Sequence, residues 1–495
     1  MSTEILVNAG LTETRIALRR DGRVTELIYD RALESDAAAR HDTLVGNIYL
    51  GWVQRVTPGV NAAFVDIGLP RAGFLAAREA QVSGDRQGQP RGIAESVRDG
   101  QILMIQVLKD PIGGKGSRLT LDIALPGRLL VLTPAQTNAS LSRRIEDAAE
   151  RARLLDLAEE IASRLGMGVI VRTAAFGASA AELSADAEAL REVWSGIEAR
   201  AREAQPPACL FVDLDPISRA LRDHADATTG RIVLDGQTAY AQARHYAQAH
   251  APFLLDRIAL FSGDLFEAEG VEGEIERALA SRVGLPSGGW IMIQTTEALT
   301  AVDVNSGRFA QGGGIAETSL RTNLEAAEET TRQLRLRGIG GIVVIDFIHM
   351  DAPDPVAEVL EVLRRGFAGD RARNEIAPLS PFGLVALTRK RVRESLPQRL
   401  TAPCPTCDGR GRVSTPAARS GALLRRIERE ACMRPGHAVH ATADPSVVAW
   451  IEAQPDLLDR LAHRIGAPLD LRSGDATDPE AFQVWTATRQ EESIP

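Results

Sequence analysis

The sequence predicts a multidomain α/β protein that contains a small β-barrel near its N-terminus. A chain of 495 residues is too long for one hydrophobic core and predicts about three or more domains. Short β-rich segments with glycine corners follow one another over residues 43–75, and another strand is predicted over 101–108. This spacing is typical of small barrels, among which the OB-fold often binds single strands.

The elements before and after the barrel follow from local periodicity. Residues 4–7, 15–18 and 24–29 alternate apolar and polar side chains around a turn at Asp21-Gly22, which predicts a β-hairpin. Helical spacing begins near Arg144 and stops at Gly166, and a second helix is predicted over 181–204. Helices and strands therefore alternate after the barrel, as they do in an α/β layer.

The region 272–400 is predicted to form the catalytic α/β unit. Its expected elements are strands at 290–293, 299–304 and 342–345 and a long helix over 317–337. Residues 416–495 predict a smaller, helix-rich unit.

Composition indicates an ordinary soluble chain. Hydrophobic residues make up 44% and charged residues 25%, and no apolar run approaches the roughly 18 residues that span a bilayer. The N-terminus lacks the pattern of a secretory signal, and four cysteines are too few for a disulfide framework. We therefore expect a cytoplasmic protein without a membrane anchor.

Net charge and charge distribution point in different directions on nucleic acid. The net charge of −9 argues against such a partner, because phosphate-binding proteins usually carry a basic excess. Basic residues nevertheless cluster late in the chain, although a solvated helix face would give a similar run. They are Arg389, Lys390, Arg391, Arg393, Arg399, Arg410, Arg412, Arg419, Arg425, Arg426 and Arg429.

Carboxylates close two of the predicted strands. Asp303 and Asn305 lie two residues apart and should face the same way, whereas Val302 and Val304 should face the core. Asp346 ends a buried apolar strand. Two carboxylates at neighbouring strand ends suit a Mg²⁺ ion that keeps several waters and is completed by substrate phosphate. Turn capping or neutralisation of nearby arginines is the alternative.

Cys404 and Cys407 supply half of a structural zinc site, which needs four ligands. The simplest completion is a second copy of the pair from another subunit, which predicts a homodimer. A redox pair or two free thiols are the alternatives. We expect Cys209 and Cys432 to be small buried hydrophobic side chains.

Two further groups of residues suit RNA. Tyr49, Trp52, Phe64 and Phe74 lie close together in the predicted barrel, with Lys115 and Arg118 following, and aromatic and cationic side chains together hold single strands. Core packing is the alternative for each aromatic residue, and we expect it for Trp52. Arg172 and Thr173 end a strand, where they could bind a terminal phosphate. An ion pair and a turn-capping threonine are the alternatives.

Several motifs together resemble the bacterial ribonuclease E/G family, and the short chain resembles its ribonuclease G branch. The likeness runs from the first strand to about residue 415. The motifs are GNIYLG (46–51), AAFVDIG (62–68), Arg172-Thr173, AVDVNSG (301–307), VIDFI (344–348) and PCPTC (403–407).

The resemblance implies a particular arrangement of subdomains. An inactive RNase H-like subdomain is interrupted by an S1-type OB barrel and a 5′-sensor, and a DNase I-like catalytic subdomain, a zinc link and a small domain follow. The implied bounds are 1–36 with 216–278 (RNase H-like), 37–120 (barrel), 121–215 (sensor), 279–400 (catalytic), 401–415 (zinc link) and 416–495 (small domain).

It also implies roles for individual residues. Asp303 and Asp346 would bind Mg²⁺ with Asn305 orienting groups around it, and Arg373 would support the active site. RNA would lie on Phe64, Phe74 and Lys115. A 5′-monophosphate would bind Arg172, Thr173 and the main chain of Val131. Cys404 and Cys407 would share one Zn²⁺ across a homodimer, with pairing of dimers into a tetramer left open.

The chain departs from the family pattern at His349, where an aspartate is usual, and at Arg410, where a smaller residue is usual. The long C-terminal scaffold of the ribonuclease E branch is not expected. The implied function is an Mg²⁺-dependent endoribonuclease that cuts AU-rich single-stranded RNA, prefers a 5′-monophosphate, and leaves a 5′-phosphate and a 3′-hydroxyl, in rRNA processing and mRNA decay. The alternatives are a non-catalytic RNA-binding protein and a zinc redox module.

Overall fold

A computed structural model describes most of the chain, in two compact units. The described residues are 3–31, 43–81, 92–111, 116–307, 314–350, 352–474 and 482–487. The units are Met1–Pro397 and Gln398–Pro495. No helix in the described part of the chain is both long and apolar enough to cross a membrane.

A five-stranded sheet joins three strands from the start of the chain to two strands that follow the barrel and the four-stranded sheet in sequence. Its order is β15 (Ile258–Leu260), β14 (Thr229–Leu234), β1 (Thr3–Ala9), β2 (Glu13–Arg20) and β3 (Arg23–Arg31). The predicted hairpin is present as β2–β3, with Asp21 and Gly22 at positive φ in the turn. The helices that accompany this sheet in the chain are α4 (Pro216–His224), α5 (Gln237–His250), α6 (Leu265–Ala268) and α7 (Val271–Leu279).

The predicted barrel is present and closed. Five strands pair in the cyclic order β4-β5-β6-β8-β7, because β4 also pairs with β7. This closure is consistent with an OB-fold. The bounds are β4 (Ile48–Thr57), β5 (Ala62–Asp66), β6 (Gly73–Ala76), β7 (Ile102–Lys109) and β8 (Arg118–Thr120), with the short helix α1 (Ile93–Ser96) and the added edge strand β13 (Ala208–Phe211).

A four-stranded sheet with two long helices follows the barrel. Its strands are β9 (Leu125–Pro126), β10 (Leu130–Thr133), β11 (Ala139–Leu141) and β12 (Gly168–Val171). Helix α2 (Ala148–Leu165) ends at Gly166 as predicted, because Gly166 adopts φ +66. Helix α3 (Ala180–Glu203) begins at a capping box formed by Ser179 and Glu182.

A six-stranded sheet carries the predicted catalytic segments. Its order is β16 (Arg282–Gly284), β17 (Trp290–Thr295), β18 (Leu299–Asn305), β19 (Gly341–Asp346), β21 (Leu384–Arg389) and β20 (Asn374–Leu379). Helices α8 (Ile315–Leu336) and α9 (Pro353–Phe367) pack their apolar side chains on one face, and α10 (Leu396–Leu400) follows β21. We call the opposite face of this sheet the open face.

The second unit contains more sheet than its sequence predicts. Three helices, α11 (Pro416–Met433), α12 (Pro445–Glu452) and α13 (Leu457–Ile465), are accompanied by a sheet of β23 (Leu469–Ser473), β22 (Ala438–Ala443) and β24 (Phe482–Ala487). The strands are short, and β22 is rich in alanine, which has little strand preference. The prediction of a helix-rich unit therefore missed the sheet.

Candidate active site and nucleic-acid interface

Two carboxylates lie side by side on the open face. Asp303 of β18 is directly opposite Asp346 of the parallel strand β19. Val302, Val304 and Ile345 are buried, so strand alternation leaves both aspartates exposed. The structure therefore confirms the predicted facing of Val302 and Val304, and it brings the two carboxylates together.

Asn305 completes this group. Its Nδ2 donates a hydrogen bond to Asp303 Oδ2 at 2.8 Å. The chain then turns at Gly307, which has φ +64, and a Cβ added there would lie 2.6 Å from Gly288 O. Glycine is therefore required where β18 leaves the site.

Asn323 fixes the segment that follows Asp346. This fully buried side chain on α8 donates from Nδ2 to Ile348 O at 2.7 Å and accepts from Ile348 N at 3.0 Å. A side-chain amide thus replaces a missing strand partner. The sequence did not indicate this role, since the pair is 25 residues apart and only folding brings it together.

The donor set suits an incompletely enclosed cation. Over the residues that the structure describes, no group of three or more His, Cys, Asp or Glu side chains could hold a metal ion. Two carboxylates and one amide form only part of a coordination shell. That set fits Mg²⁺, which keeps several waters and takes further oxygen ligands from a phosphate.

Arg373 is not brought to the carboxylates. The main chain of Arg373 accepts a hydrogen bond from Lys390 N at 2.8 Å. Arg389, next to Lys390, is opposite Gly341 at the start of β19, whereas Asp346 is at the end of that strand. Arg373 and Asp346 therefore lie toward opposite ends of β19. The Arg373 guanidinium instead pairs with Glu375 at 2.6 Å. Support of the active site by Arg373 stays a prediction, and the arrangement within one chain does not favour it.

An exposed aromatic side chain lies near the carboxylates. Phe382 is 87% exposed in the turn between β20 and β21. Leu384, two residues later, is directly opposite Asp346. Two strand residues span about 7 Å, so Phe382 lies beside the carboxylate end of the sheet. Phe382 was not among the residues predicted from the sequence, although a Pro-Phe-Gly turn is a signal for an exposed aromatic residue.

The barrel carries a row of aromatic and cationic side chains, one from each strand. Each member is directly opposite the next across neighbouring strands, in the order Arg55, Phe64, Phe74, Arg118 and Lys109. The two phenyl rings meet edge to face with centroids 5.9 Å apart, and the Arg55 guanidinium lies 5.6 Å from the Phe64 centroid. We call these five residues the barrel row.

Lys109 lies in positively charged surroundings. Burial and the charges of Arg118 and Lys390 lower the pKa of Lys109. Arg55 and Lys109 were not among the residues predicted from the sequence, because the row becomes visible only when the strand register is known. Lys115 lies outside the described residues.

Trp52 is not a core residue. Its side chain is 37% exposed, so the prediction was wrong. A residue on a barrel strand can face the core or the solvent, and the large apolar side chain of Trp52 does not by itself show which.

Arg172 and Thr173 line a cavity of about 210 Å³. Arg172 Nη2 pairs with Asp223 Oδ1 at 2.6 Å, and its Nη1 donates to Gly127 O. Thr173 Oγ1 lies 2.9 Å from Ser142 Oγ. The ion pair that we named as an alternative is therefore present, and both side chains nevertheless reach the cavity.

The wall of this cavity has an excess of positive charge. Five arginines face three carboxylates there: Arg20, Arg144, Arg172, Arg335 and Arg371 against Glu26, Asp223 and Asp226. His224 is part of the wall, and burial together with Arg371 lowers its pKa to about 4, so it is neutral at pH 7. Val131 is not among the wall residues and lies in β10 opposite Ile170.

Cys404 and Cys407 occupy a tight turn in the second unit. Gly411 N donates to Cys407 Sγ at 3.3 Å, and hydrogen bonds from the main chain of Cys407 and Thr406 lower the pKa of Cys404. Such N–H groups stabilise thiolates, the form that binds zinc. The pair thus fits half of a zinc site.

The other two cysteines are both exposed, so the prediction that they are buried was wrong. Cys209 lies on the added edge strand β13, and Cys432 lies near the end of α11. Burial of small side chains in such elements depends on the packing of neighbours that local sequence does not reveal.

Comparison with known proteins agrees with these features. The model of the Ribonuclease E/G family matches residues 124–392. Ribonuclease G of Salmonella typhimurium (strain SL1344) is 42% identical over 87% of this chain and 88% of its own length. Ribonuclease G of Haemophilus influenzae is 36% identical over 98% of this chain and 99% of its own length. Ribonuclease E of Escherichia coli (strain K12) is 38% identical over 90% of this chain but only 42% of its own length. The chain therefore belongs to the Ribonuclease E/G family.

Proposed function

We propose that this protein is an Mg²⁺-dependent endoribonuclease that cuts AU-rich single-stranded RNA and prefers substrates with a 5′-monophosphate. As a member of its family it is an endoribonuclease, a hydrolase that acts on RNA. The observation that carries the proposed mechanism is the direct opposition of Asp303 and Asp346 on the open face. The products would have a 5′-phosphate and a 3′-hydroxyl.

Asp303 and Asp346 would supply the protein ligands of the metal ion. When bound, Mg²⁺ supplies Lewis-acid stabilisation of charge on the phosphate and a bound water of lowered pKa. Asp303 is kept in place by the hydrogen bond from Asn305, and the segment after Asp346 is kept in place by Asn323. These contacts pre-organise the carboxylates before the substrate arrives.

The barrel row would hold single-stranded RNA. Stacking on Phe64 and Phe74 tolerates any base, whereas Arg118 and Lys109 supply charge for phosphates. Duplex RNA buries its base faces, so it could not use these rings. Phe382 could stack one more base close to the carboxylates. The preference for AU-rich sequence rests on the resemblance.

The arginine-lined cavity would bind the 5′ end. A monophosphate carries more than one negative charge and accepts several hydrogen bonds, which suits the Arg172 guanidinium and the Thr173 hydroxyl. The excess of positive wall charge supports this assignment. A contribution from the main chain of Val131 is carried over from the resemblance alone.

Assembly would use the cysteine turn. Cys404 and Cys407 of two copies would complete one Cys₄ zinc site and form a homodimer. We also propose the subdomain identities and bounds given above, action in the cytoplasm, and roles in rRNA processing and mRNA decay.

One cleavage experiment tests the catalytic proposal. Two short AU-rich RNAs of one sequence, with a 5′-monophosphate or a 5′-hydroxyl, are incubated with Mg²⁺ and either the natural protein or Asp303→Asn. Glu297→Gln is the matched control, because it removes an exposed carboxylate at the other end of the same strand pair. We expect faster cutting of the monophosphate, loss of cutting in Asp303→Asn, and normal cutting in Glu297→Gln.

The other outcomes are equally informative. Cutting that is unchanged in Asp303→Asn would overturn the metal site. Binding of both RNAs without cutting by the natural protein would instead support the alternative of a non-catalytic RNA-binding protein.

A further inference from the structure

Asp223, on the wall of the arginine-lined cavity, contacts three arginine side chains. Its Oδ1 lies 2.6 Å from Arg172 Nη2, and its Oδ2 lies 3.5 Å from Arg371 Nη1. Arg222 contacts both oxygens, each at 3.2 Å. The Arg371 guanidinium also donates to the main-chain O of Asp223. Although burial raises it, the pKa of Asp223 stays below its usual range because of these arginines, so the carboxylate is ionised.

Asp223 and two of its partners, Arg172 and Arg371, come from three different parts of the first unit. Arg172 follows β12 of the four-stranded sheet, and Asp223 lies in α4 beside the five-stranded sheet. Arg371 lies between α9 and β20 of the six-stranded sheet that carries Asp346. Asp223 therefore links the candidate 5′-end cavity, through Arg172, to the segment that leads into the sheet of the candidate active site, through Arg371.

Asp223 is itself firmly held. Arg222, whose side chain is only 6% exposed, also donates to Asp213 Oδ1 at 3.1 Å and to Pro126 O at 3.3 Å. This buried guanidinium holds both carboxylate oxygens of Asp223 in place. The carboxylate accepts a hydrogen bond from Arg172 and forms an ion pair with Arg371. Arg172 also donates to Gly127 O, and Arg371 also donates to the main-chain O of Asp223. A guanidinium has five N–H donors, so both arginines can still donate to a ligand in the cavity.

We propose that Asp223 is a positioning residue for recognition of the RNA 5′-phosphate, which it does not touch but for which it orients Arg172 and Arg371. The inference rests on the proposed function of the cavity. Long arginine side chains lose much rotational freedom on binding a ligand, and a fixed carboxylate removes that cost in advance. Two pre-oriented guanidinium groups bind a phosphate better than two mobile ones.

The charge of Asp223 and its positioning role have opposite expected effects on phosphate binding. If Asp223 acted only through its negative charge, its removal would strengthen binding of a phosphate dianion, because like charges repel. If Asp223 acts by positioning, its removal weakens phosphate recognition in spite of the more positive cavity.

The test compares Asp223→Asn with the natural full-length protein, on RNAs that differ only in a 5′-monophosphate or a 5′-hydroxyl. We expect the ratio of kcat/KM values, monophosphate over hydroxyl, to fall by about tenfold, the size of one charge-assisted hydrogen bond. Cutting of the 5′-hydroxyl RNA should change by less than about twofold. Asp226→Asn is the control, because this wall carboxylate bonds Thr228 and not the two arginines.

A second variant separates positioning from a general effect on folding. In a background that carries both Arg172→Ala and Arg371→Ala, Asp223→Asn should cause little further loss of the ratio, since both side chains that it orients are already gone. An equal loss in both backgrounds, or a ratio that Asp223→Asn leaves unchanged or raises, would overturn the proposal. A natural protein that does not distinguish the two RNAs would overturn the 5′-end function as well, whereas discrimination that survives Asp223→Asn overturns this inference alone.

Discussion

Asp303 and Asp346 are direct cross-strand partners, so the open face of the six-stranded sheet carries two like charges in one register position. Opposed like charges destabilise a sheet unless something neutralises them. The fold accepts this repulsion at the position where a divalent cation would remove it. Local departures from the most stable arrangement are expected at functional sites, so this pair favours a cation site.

Mg²⁺ should therefore stabilise the protein through this pair. At a free concentration ten times its Kd, a ligand adds about 1.4 kcal/mol to the stability of the folded state. We expect Mg²⁺ to raise the Tm of the natural protein relative to EDTA and to have little effect on Asp303→Asn. In EDTA the variant should be at least as stable as the natural protein, because one of the two charges is gone.

Glu297→Gln serves as the control in the same thermal unfolding series, and its Mg²⁺ shift should equal that of the natural protein. An equal shift in Asp303→Asn would place the bound Mg²⁺ elsewhere.

Features of this site that depend on neighbours in the sequence could be predicted, whereas contacts between residues far apart in the chain could not. Asp303 and Asn305 could be placed on one face because strand alternation is local, and Asp346 could be placed at the end of its own strand. The roles of Asp223 and Asn323 could not be predicted, since Arg172 lies 51 residues from Asp223 and Ile348 lies 25 residues from Asn323 in the chain. Exposure of Trp52 was missed for the same reason.

The barrel row makes a quantitative prediction about RNA binding. Phe64→Ala should weaken binding of a single-stranded RNA by about 1–3 kcal/mol with little change in salt dependence, because stacking is not ionic. Lys109→Ala should weaken binding less and reduce the slope of log K against log salt by about one phosphate contact. Fluorescence anisotropy measures both, in EDTA, where the proposed Mg²⁺-dependent cutting should stop.

Trp52→Ala is a matched control for the aromatic ring, since Trp52 is exposed on the same barrel but is not in the row. If Trp52→Ala weakened binding as much as Phe64→Ala, the row would not be the RNA-binding surface.

The cysteine turn predicts a link between zinc and assembly. Cys404→Ser with Cys407→Ser should lose bound zinc and shift the protein from dimer to monomer, because each chain supplies only two of four ligands. Zinc content should be about one ion per two chains in the natural protein. Sedimentation velocity and metal analysis check the two expectations.

Cys432→Ser is the matched thiol control, because Cys432 is exposed outside the turn. One zinc ion per chain, or a dimer that survives loss of both turn thiols, would contradict the shared site.

His224 predicts an acid-sensitive contribution to stability. Burial, with the charge of Arg371, lowers its pKa from 6.5 to about 4 in spite of Glu26 and Asp223 nearby. The unfolded chain therefore takes up a proton near pH 6.5 while the folded chain does not. Stability from this group is complete above pH 6.5 and falls, by up to about 3 kcal/mol, as the pH drops toward 4.

His224→Gln should remove that part of the pH dependence, so the natural protein should lose stability faster than the variant between pH 7 and 4. Urea unfolding midpoints across this range measure the difference, and His245→Gln, at an exposed position on α5, is the control. Parallel curves for the natural protein and His224→Gln would show that His224 is not buried in its neutral form.

The ion pair between Arg389 and Asp370 leads to the last prediction. Two hydrogen bonds of 2.6 and 3.0 Å join the side chains, which are 5% and 4% exposed, and Arg389 Nη1 also donates to Ile339 O at 2.8 Å. Asp370→Asn leaves a buried guanidinium without its counter-charge, which should cost about 3–5 kcal/mol. The double variant Asp370→Leu with Arg389→Met removes both charges and should cost less than Asp370→Asn alone, because no unpaired charge remains buried.

Urea unfolding midpoints of the single and double variants decide this, and losses that simply add would mean that the two charges do not stabilise each other. Since Arg389 holds the residues that lead into β19, the double variant should also cut RNA more slowly even where its stability is restored.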